Sequence, residues 1–463
     1  MIDIRDFGAA PGSRLSTSAI QQAVVTAYNN GGGTVHVPPG TFTVTSVCLL
    51  DNVTLHLADG ALLGASSEAS DYVRRGPVIQ AREASCIALT GPGTVDGGGA
   101  HFYPDPATLP PRSVQRVCKP KPLRGRNAFH TVHFDCCSDV LIDGVTLRDS
   151  VAWTCRLTAC RDVVVRGITI RNPPLADRCN TDGIDLVSCC NVLVEDCDIV
   201  AGDDAVVLKT LPPPEASPAQ TSEIKNVTVR NCVVASTCNA TKIGTETVGD
   251  IHDVLFENIR VKRHPGAQRN GRNPQVSGNA VAAISIQSND GAAVGNITCR
   301  NYRIDECATP FFILLQDRES LFPHAAAGRI ANVHLENIIC RHAETASQIN
   351  VCRNAAIENV TLRDVDIHNM ESCKGTVLPA TPDGSGYPDA NRYGAMPAFG
   401  LFARRVRALH MAGNIAFHDD GGSGRPAIVF DQVSDVSDAS SDKVLQEVMD
   451  IGSSSKQRPE DQR

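Results

Sequence analysis

One short template recurs eight times along the chain and limits its possible folds more than any other feature. Each copy opens with Asp or Asn, has apolar residues at the first and third following positions, and has Gly, Asn or Asp at the fifth. The openers are Asp139, Asp162, Asn191, Asn226, Asp253, Asn296, Asn332 and Asn359. Apolar alternation continues after the fifth position, whose residue types tolerate a left-handed backbone. Each copy therefore predicts two short strands joined by a one-residue corner.

The spacing of these copies indicates stacked coils. Successive copies start between 23 and 43 residues apart, which is irregular for a helical solenoid but natural for coils whose outer loops vary in length. Crossovers between parallel strands are almost always right-handed. We therefore predict an all-β fold, a right-handed parallel β-helix, as a single domain over residues 1–430. A Greek-key sandwich is the alternative, but it requires hairpin turns and does not explain a fixed corner.

Both ends of the chain depart from the repeat. A Ser-x-x-Gln capping box opens an apolar-periodic segment from Ser18 to Tyr28. We expect a helix there, within an N-terminal cap of about residues 1–40 that covers the strand edges of the first coil. For residues 431–463 we expect a short amphipathic helix over 441–451 and then a polar tail.

Charge and hydropathy limit the partners. The 463 residues include 43 Lys and Arg against 51 Asp and Glu, a formal net charge of −8. This balance argues against nucleic acid as a partner, and no apolar run approaches the roughly 18 residues of a membrane span. We therefore expect no nucleic-acid partner and no membrane partner, while the oligomeric state stays open. With no signal-peptide pattern, the chain as written is expected to be cytoplasmic, or secreted or periplasmic if a leader was removed.

The cysteines do not indicate a metal site. Eighteen are present, and no two have the C-x-x-C spacing of a zinc site. A chain of this length does not need disulfides for stability. We expect most of them to be small buried hydrophobic residues, whether or not any of them pair, and we expect neither a metal nor a cofactor.

Five Asn-x-Ser/Thr matches occur, and four of them start a repeat or a similar stretch. We interpret these four as residues that begin strands rather than as glycan acceptors. Asn239 is the match that lies outside the pattern.

Acidic residues precede two stretches that we expect to be the third strands of consecutive coils. Asp182 stands before the first stretch, and Asp203 and Asp204 stand before the second, 21 residues later. One coil separates them, so they should lie on neighbouring rungs about 4.8 Å apart. Asp185 should face the other way on a regular strand, unless the start of that strand is irregular.

Carboxylates on neighbouring rungs suit glycosidic hydrolysis. One acid must stay protonated to donate to the leaving oxygen, and another must be ionised to activate water. Crowded like charges push pKa values apart, so one proton can persist near neutral pH. One rung plus a lateral offset can give the ~6.5–9.5 Å separation of an inverting enzyme. Two alternatives remain: the acids form a turn, or they bind calcium as in a lyase that cleaves uronans by β-elimination.

Several motifs resemble one enzyme family. Asn180-Thr-Asp-Gly, followed by Gly202-Asp-Asp and Lys209, resembles the motifs of the polygalacturonases, glycoside hydrolase family 28. The N-terminal part is similar to the same family in Val37-Pro-Pro-Gly-Thr-Phe and Asn52-Val-Thr-Leu. The resemblance extends from about residue 3 to about residue 418. It implies a pectin-lyase-like β-helix, an inverting hydrolase and no metal.

The same resemblance implies roles for individual residues. Asp203 corresponds to the general acid, and Asp182 and Asp204 correspond to the residues that position and deprotonate the attacking water. Asn180 is implied to shape the same pocket, and Lys209 is expected to bind substrate.

Two elements of the family are missing. Its Gly-His-Gly element corresponds to Cys238-Asn-Ala-Thr-Lys242, without a histidine, and its Arg-Ile-Lys element corresponds to Ser285-Ile-Gln287. Both changes concern substrate recognition, because an unpaired substrate carboxylate is costly to desolvate. Gln287 can hydrogen-bond a neutral sugar such as rhamnose, whereas Lys242 can instead replace the missing cations. We therefore expect a rhamnose-like sugar or a galacturonate at the cleaved end.

Other candidates carry two interpretations each. Arg318 is expected to bind substrate, or to form a surface ion pair with Asp317. Trp153 either stacks on a sugar or is simply packed. Three long segments are expected to wall one end of the groove and to favour terminal cleavage; they are 211–218, 263–279 and 374–396.

These observations favour an exo-acting, inverting glycoside hydrolase of pectin-derived oligosaccharides. The alternatives are a non-catalytic carbohydrate-binding or adhesive β-helix and a calcium-dependent polysaccharide lyase. Three motif-placed aspartates favour the hydrolase, because a binding protein would present exposed aromatic residues instead.

Overall fold

The computed structural model describes residues 1–12, 15–72, 76–105, 129–174, 177–212, 222–266, 279–318, 328–352, 355–372, 378–384, 386–441 and 448–451. They form two compact units, unit 1 (Met1–Thr241 with Lys262–Ala280) and unit 2 (Lys242–Val261 with Val281–Arg463). Each unit consists of parallel strands stacked as coils of a right-handed β-helix, which confirms the predicted fold class.

The described residues of unit 1 include a helix, α1 (Thr17–Asn29), and twenty-one complete strands. The strands are β1 (Ile2–Asp3), β2 (Gly33–Val37), β3 (Gly40–Val44), β4 (Val47–Leu49), β5 (Val53–Leu57), β6 (Ala61–Ala65), β7 (Ile79–Arg82), β8 (Ser85–Thr90), β9 (Thr94–Asp96), β10 (Val132–Asp135), β11 (Ser138–Asp143), β12 (Thr146–Arg148), β13 (Cys155–Thr158), β14 (Arg161–Arg166), β15 (Thr169–Arg171), β16 (Ile184–Val187), β17 (Cys190–Glu195), β18 (Asp198–Ala201), β19 (Val206–Thr210), β20 (Ile224–Arg230) and β21 (Val233–Ser236).

These strands form three parallel stacks, one for each strand of a coil. The first and second strands of the repeat give two stacks, β1-β2-β5-β8-β11-β14-β17-β20 and β3-β6-β9-β12-β15-β18-β21. The predicted third strands give the stack β4-β7-β10-β13-β16-β19. Alternate residues point inward, as in β10, where Val132 and Phe134 are buried. The core of unit 1 is therefore a column of aliphatic and aromatic side chains between the stacks.

In unit 2 the two strands of each repeat merge into one long bent strand. The elements are β22 (Asn239–Thr247, whose first residues belong to unit 1), β23 (Ile251–Lys262), β24 (Ala280–Ser288), β25 (Ala293–Ile304), β26 (Cys307–Leu315), β27 (Arg329–Ala343), β28 (Ser347–Val351), β29 (Ile357–Asn369), β30 (Leu401–Arg404), β31 (Val406–Asp419), β32 (Ile428–Asp431), β33 (Ser437–Ser440) and β34 (Val448–Asp450). The long strands stack on one another, and the third strands form a second stack.

The corners of the coils have a left-handed backbone. The eight openers and the eight fifth positions all have positive φ, between 53° and 76°. Asn and Asp side chains tolerate this region better than other non-glycine residues do. The predicted corner at the fifth position is confirmed, and the opener is a second corner of the same kind.

Rows of side-chain amides connect the openers of successive coils. In unit 1, Asn191 Nδ2 donates to Asp162 Oδ1 at 2.9 Å, and Asn226 Nδ2 donates to Asn191 Oδ1 at 3.0 Å. In unit 2, a separate row runs from Asp253 through Asn296 and Asn332 to Asn359. The side chains are engaged in these contacts, which supports their interpretation as residues that begin strands.

Helix α1 covers the first coil as expected, but it does not use the predicted capping box. The helix begins after Ser16, and the side chain of Gln21 instead pairs with both backbone groups of Cys48, at 2.9 Å each. This pairing satisfies backbone groups of β4 that would otherwise lie at an unpaired edge. Within the part of the chain that the structure describes, no helix is long and apolar enough to cross a membrane.

The C-terminal strands extend further than expected. β33 pairs with β31, and β34 pairs with β32, so parallel strands continue past residue 430. Val448–Asp450 forms a strand where we expected the end of a helix, because its backbone completes the open edge of β32. Residues 442–447 and the expected polar tail from 452 onward lie outside the described residues.

The cysteines behave as small hydrophobic residues. All sixteen in the described ranges are free thiols, and ten of these are buried. They contribute packing volume to the columns between the stacks.

A corner glycine offers a test of the backbone requirement. Gly167 has φ +60°, and no atom lies closer than 4.0 Å to a Cβ added there. Gly167→Val should lower the free energy of unfolding by about 1–2 kcal/mol, because a β-branched residue is strained in the left-handed region. Gly167→Asn, which introduces the residue present at corner Asn231, should cost less than half as much. Urea unfolding measures both, and equal costs would contradict the requirement.

Candidate active site

Two consecutive third strands of unit 1 carry the predicted acids. Asp182 precedes β16, and Asp203 and Asp204 precede β19, which pairs with β16 in register. Their side chains are 3%, 6% and 2% exposed, respectively. Asn180, implied to shape the same pocket, is exposed and has φ +56°. The structure therefore places the three aspartates on neighbouring rungs, as expected from their spacing.

A buried lysine joins two carboxylates. Lys209 Nζ lies 3.3 Å from Asp182 Oδ2 and 2.9 Å from Asp185 Oδ1. The regular strand begins only at Ile184, so the alternation that would turn Asp185 away from Asp182 does not extend back to Asp182. Gly183 permits this irregular start, because a Cβ there would lie 2.3 Å from the Ala205 carbonyl oxygen. Lys209 was expected to bind substrate, and its ammonium group instead contacts the acids.

Asp204 is held by a residue that the sequence analysis did not select. Asn239 donates to Asp204 Oδ1 from its side-chain Nδ2 at 2.6 Å and from its backbone N at 3.1 Å. Asn239 is buried, so it does not present a glycan acceptor. The sequence feature that could have identified Asn239 is its position, inside the stretch that corresponds to the Gly-His-Gly element of the polygalacturonase-like family.

Asp203 has a different set of contacts. Its Oδ1 accepts from the backbone N of Asp204 at 3.1 Å, and its carbonyl oxygen accepts from Ser236 Oγ. Ligating atoms of Asp203, Asp204 and Cys238 lie within 4.8 Å of one another. A thiol is a poor ligand for the hard calcium ion, which takes oxygen ligands, so this donor set does not fit the calcium-dependent lyase.

Burial and crowding disturb the titration of the acids. Burial, followed by the charge of Asp185, raises the pKa of Asp182 well above its ordinary value. Burial raises the pKa of Asp185 to about 6, although Lys209 opposes the shift. The cluster therefore retains a proton at mildly acidic pH, which a proton donor requires.

Trp153 packs against cations. Lys209 Nζ lies 3.8 Å from its ring centroid, the Arg156 guanidinium carbon lies 5.0 Å away, and the His130 ring stacks at 5.5 Å. Burial, followed by the charge of Arg156, lowers the pKa of His130 to about 3, so this ring is neutral near pH 7. The contact with Lys209 supports the packing interpretation of Trp153.

The remaining candidates lie in unit 2, where each has contacts of its own. Gln287 Nε2 donates to Ser285 Oγ and to the Pro388 carbonyl oxygen, at 2.9 and 3.2 Å. Lys242 Nζ, almost fully buried, donates to the hydroxyl of the half-exposed Tyr387 at 3.1 Å. The two amide N–H groups of Gln287 thus already have acceptors.

Arg318 forms a buried ion pair. Its Nε and Nη2 bind both carboxylate oxygens of Asp290, at 2.9 and 2.6 Å, and Nη2 also reaches the Thr245 carbonyl oxygen. One interpretation of the sequence is a surface ion pair with Asp317. In the structure the guanidinium group is buried and turns inward toward Asp290. A bidentate pair of this kind fixes the loop after β26.

Comparisons with known proteins agree with the motifs. The model of the family described as "Glycosyl hydrolases family 28" matches residues 32–211. A "Probable polygalacturonase" of Vitis vinifera is 31% identical over 281 residues, which cover 55% of this chain and 53% of that protein. The match therefore spans about half the length of that relative. A "Polygalacturonase" of Medicago sativa is 24% identical over 340 residues, 64% of this chain and 76% of the relative.

A solved structure shows the same fold. The family 28 exopolygalacturonase of Yersinia enterocolitica superposes with a TM-score of 0.68 at 18% identity, covering 95% of this chain and 78% of that one. Asn180, Asp182, Asp203, Asp204 and Lys209 lie inside the range that the family model matches. Lys242, Gln287 and Arg318 lie outside it.

The raised pKa of Asp185 predicts a stability difference that depends on pH. Because its folded pKa of about 6 exceeds the ordinary 3.8, the folded state binds more protons between these values, and stability falls as pH rises through this window. Asp185→Asn removes that dependence. The variant's free energy of unfolding relative to wild type should therefore increase from about pH 4 to about pH 7.

Urea unfolding across this pH range measures the effect. Asp198→Asn is the matched control, since Asp198 is half exposed and paired with Arg171 at the surface. The increase for Asp185→Asn should exceed any change measured for this control. A constant difference for Asp185→Asn would show that the carboxyl group titrates normally in the folded chain, and a decreasing difference would show that its pKa is lowered; either result contradicts the prediction.

Proposed function

We propose that this chain, a divergent polygalacturonase-like protein of glycoside hydrolase family 28, hydrolyses glycosidic bonds of pectin-derived oligosaccharides with inversion of the anomeric centre. The observation that carries the proposal is the group of buried carboxylates in unit 1, Asp182, Asp185, Asp203 and Asp204, on consecutive coils. Burying several like charges together is costly for folding. Such an arrangement is typical of sites that need a retained proton and an ionised base.

The proposed reaction uses one acid and one base. Asp203 donates its proton to the oxygen of the leaving sugar while the bond from that oxygen to the anomeric carbon breaks. Water, held by Asp182 and Asp204, attacks the same carbon from the opposite face and gives up a proton to them. The first product therefore has the inverted configuration, and the proton gained by the base later returns to Asp203 through solvent.

The contacts of the two base candidates differ. Asn239 donates twice to one oxygen of Asp204, which favours the ionised form of that carboxyl group. Asp182, by contrast, has a strongly raised pKa, which favours its protonated form in the absence of substrate. Asp204 is thus the better supported base, and the two possible donors can be separated by experiment.

Substrate selection is inferred from the cations that the family's sequence element has and this chain lacks. The stretch that corresponds to the Arg-Ile-Lys element of the family has no cation, and Gln287 is hydrogen-bonded to its neighbours. We therefore propose that a neutral, rhamnose-like sugar is preferred to galacturonate at the cleaved end. Lys242 with Tyr387 is the alternative recognition group for a substrate carboxylate, because an ammonium and a hydroxyl group both donate to carboxylates.

Terminal cleavage is the proposed mode of action. It rests on the length of three segments between coils, 211–218, 263–279 and 374–396, each of which lies partly outside the described residues. Analysis of product lengths from a long oligomer tests it: an exo-acting enzyme releases one short product from the start, whereas a ladder of intermediate lengths would show internal cleavage.

Leaving-group chemistry identifies the acid. Asp203→Asn should lower kcat on an oligosaccharide by about 10²–10⁴, because general acid catalysis contributes that much. On a nitrophenyl glycoside of the same sugar, whose leaving group needs no protonation, Asp203→Asn should keep most of its activity. Asp204→Asn should lose activity on both substrates. Time-resolved NMR of the wild-type product should show the inverted anomer.

Asp198→Asn should match wild type on both substrates. If the nitrophenyl substrate restores the activity of Asp182→Asn but not that of Asp203→Asn, the proton donor is Asp182. A retained anomer, or a product absorbing as an unsaturated uronate and lost with chelator, would overturn inverting hydrolysis.

Sugar preference provides a separate test. We expect kcat/KM to be higher on a rhamnosyl-terminated oligomer than on an unsubstituted galacturonate oligomer, since a buried galacturonate carboxylate lacks the Arg and Lys partners. Lys242→Met, which keeps the volume of the buried stem, should leave the rhamnosyl substrate unaffected. Lys225→Met, at a partly exposed lysine, is the control. A preference for galacturonate that Lys242→Met abolishes would show that Lys242 replaces the missing cations.

A further inference from the structure

A second group of ligating side chains lies in unit 2, on the adjacent strands β29 and β31. His368 stands opposite His418 in register, with ring centroids 4.2 Å apart and planes inclined by 14°. Asp366, two residues before His368, lies on the same face. Its Oδ1 is 2.8 Å from His418 Nε2 and 3.8 Å from His368 Nε2. Two imidazoles and a carboxylate, all partly exposed, therefore converge on one point.

A fourth residue orients one of the imidazoles. His368 Nδ1 lies 2.8 Å from Asp420 Oδ2, so the Nδ1 of a neutral ring donates to this carboxylate. The proton then resides on Nδ1, and Nε2 has a lone pair. A carboxylate that holds the far nitrogen of an imidazole is the usual outer partner of a metal-binding histidine.

The tautomer leaves two acceptors facing each other. With its proton on Nδ1, His368 Nε2 and Asp366 Oδ1 are separated by 3.8 Å, and neither supplies a hydrogen to the other. Two surface ion pairs explain the His418–Asp366 and His368–Asp420 contacts. They do not explain why His368 Nε2 and Asp366 Oδ1, both acceptors, face each other. A cation could bind both acceptors, in addition to the contact that Asp366 Oδ1 already makes with His418 Nε2.

We propose that Asp366, His368 and His418 bind one divalent transition-metal ion of the zinc type, with Asp420 as a positioning residue. The ligand atoms lie within 4.8 Å of one another. Tetrahedral zinc, with bonds of about 2.0–2.2 Å, needs them roughly 3.3 Å apart. Binding thus requires small side-chain rotations, which partly exposed residues can make, and solvent can supply the fourth ligand.

The donor set determines the class of metal. Imidazole nitrogen favours zinc, copper and nickel, whereas magnesium and calcium prefer oxygen ligands throughout. Since the ligands come from two adjacent coils, the ion would link β29 to β31 and stabilise the folded chain. The site involves none of the acids of unit 1, so it does not depend on the proposed hydrolysis.

Calorimetric titration of the purified, metal-free full-length chain with zinc chloride tests the proposal. Wild type should bind one more zinc ion than His368→Ala or His418→Ala. Zinc bound by cysteine thiols adds equally to all three proteins and does not change this difference. Asp420→Asn should weaken binding by about 10- to 100-fold. His410→Ala, on the same strand β31 and in contact with Ser437, is the matched control. Magnesium chloride should give no binding.

NMR of the wild-type chain labelled with ¹⁵N-histidine provides a second readout that needs no variant. One equivalent of zinc should shift the Nε2 signal of one imidazole that retains its Nδ1 proton, as expected for His368. The thermal midpoint should rise with zinc in wild type and in His410→Ala, but not in His368→Ala or His418→Ala. Equal zinc stoichiometry in wild type and His418→Ala, or unchanged histidine signals, would overturn the proposal.

Discussion

The left-handed corner is the constraint on which the rest of the structure depends. Each of the eight repeats turns at its opener and again at its fifth position, where Gly, Asn or Asp adopts a positive φ. Because the corners recur at the same place in every coil, strands of successive coils start in register. That register is what places Asp182 and the Asp203–Asp204 pair on neighbouring rungs, although a full coil separates them in sequence.

Sequence could predict the coils wherever the corner residues are Asn, Asp or Gly. It missed coils whose openers are other residues: Cys86 and Ala408 have φ of 56° and 61°, and only the glycines five positions later, Gly91 and Gly413, could have revealed them. Their strands still form because paired neighbours on both sides supply the hydrogen bonds. The last strand, Val448–Asp450, was missed for a related reason, since apolar residues four apart fit a helix as well as an isolated strand edge.

The acids of the candidate site were predictable from motif and spacing, but their partners were not. Asp185 joins the cluster because its strand begins late, and Asn239 reaches Asp204 from the following coil. Both depend on local backbone geometry that alternation rules do not describe. Likewise, the sequence shows that Lys209 is charged, but it does not show that the buried ammonium group contacts Asp182 and Asp185. Motifs therefore predicted the candidate acids, whereas packing determines which side chains contact them.

The amide rows at the openers give each stack a direction. Every Asn donates to the opener before it, and the internal ones (Asn191, Asn296 and Asn332) also accept from the opener after them. The rows begin at Asp162 and Asp253, which can only accept. A row of this kind can be lengthened at any internal point by a residue that both donates and accepts. Gene duplication could therefore insert a new coil without interrupting the row, provided that the coil begins with asparagine; a coil beginning with aspartate would start a separate row.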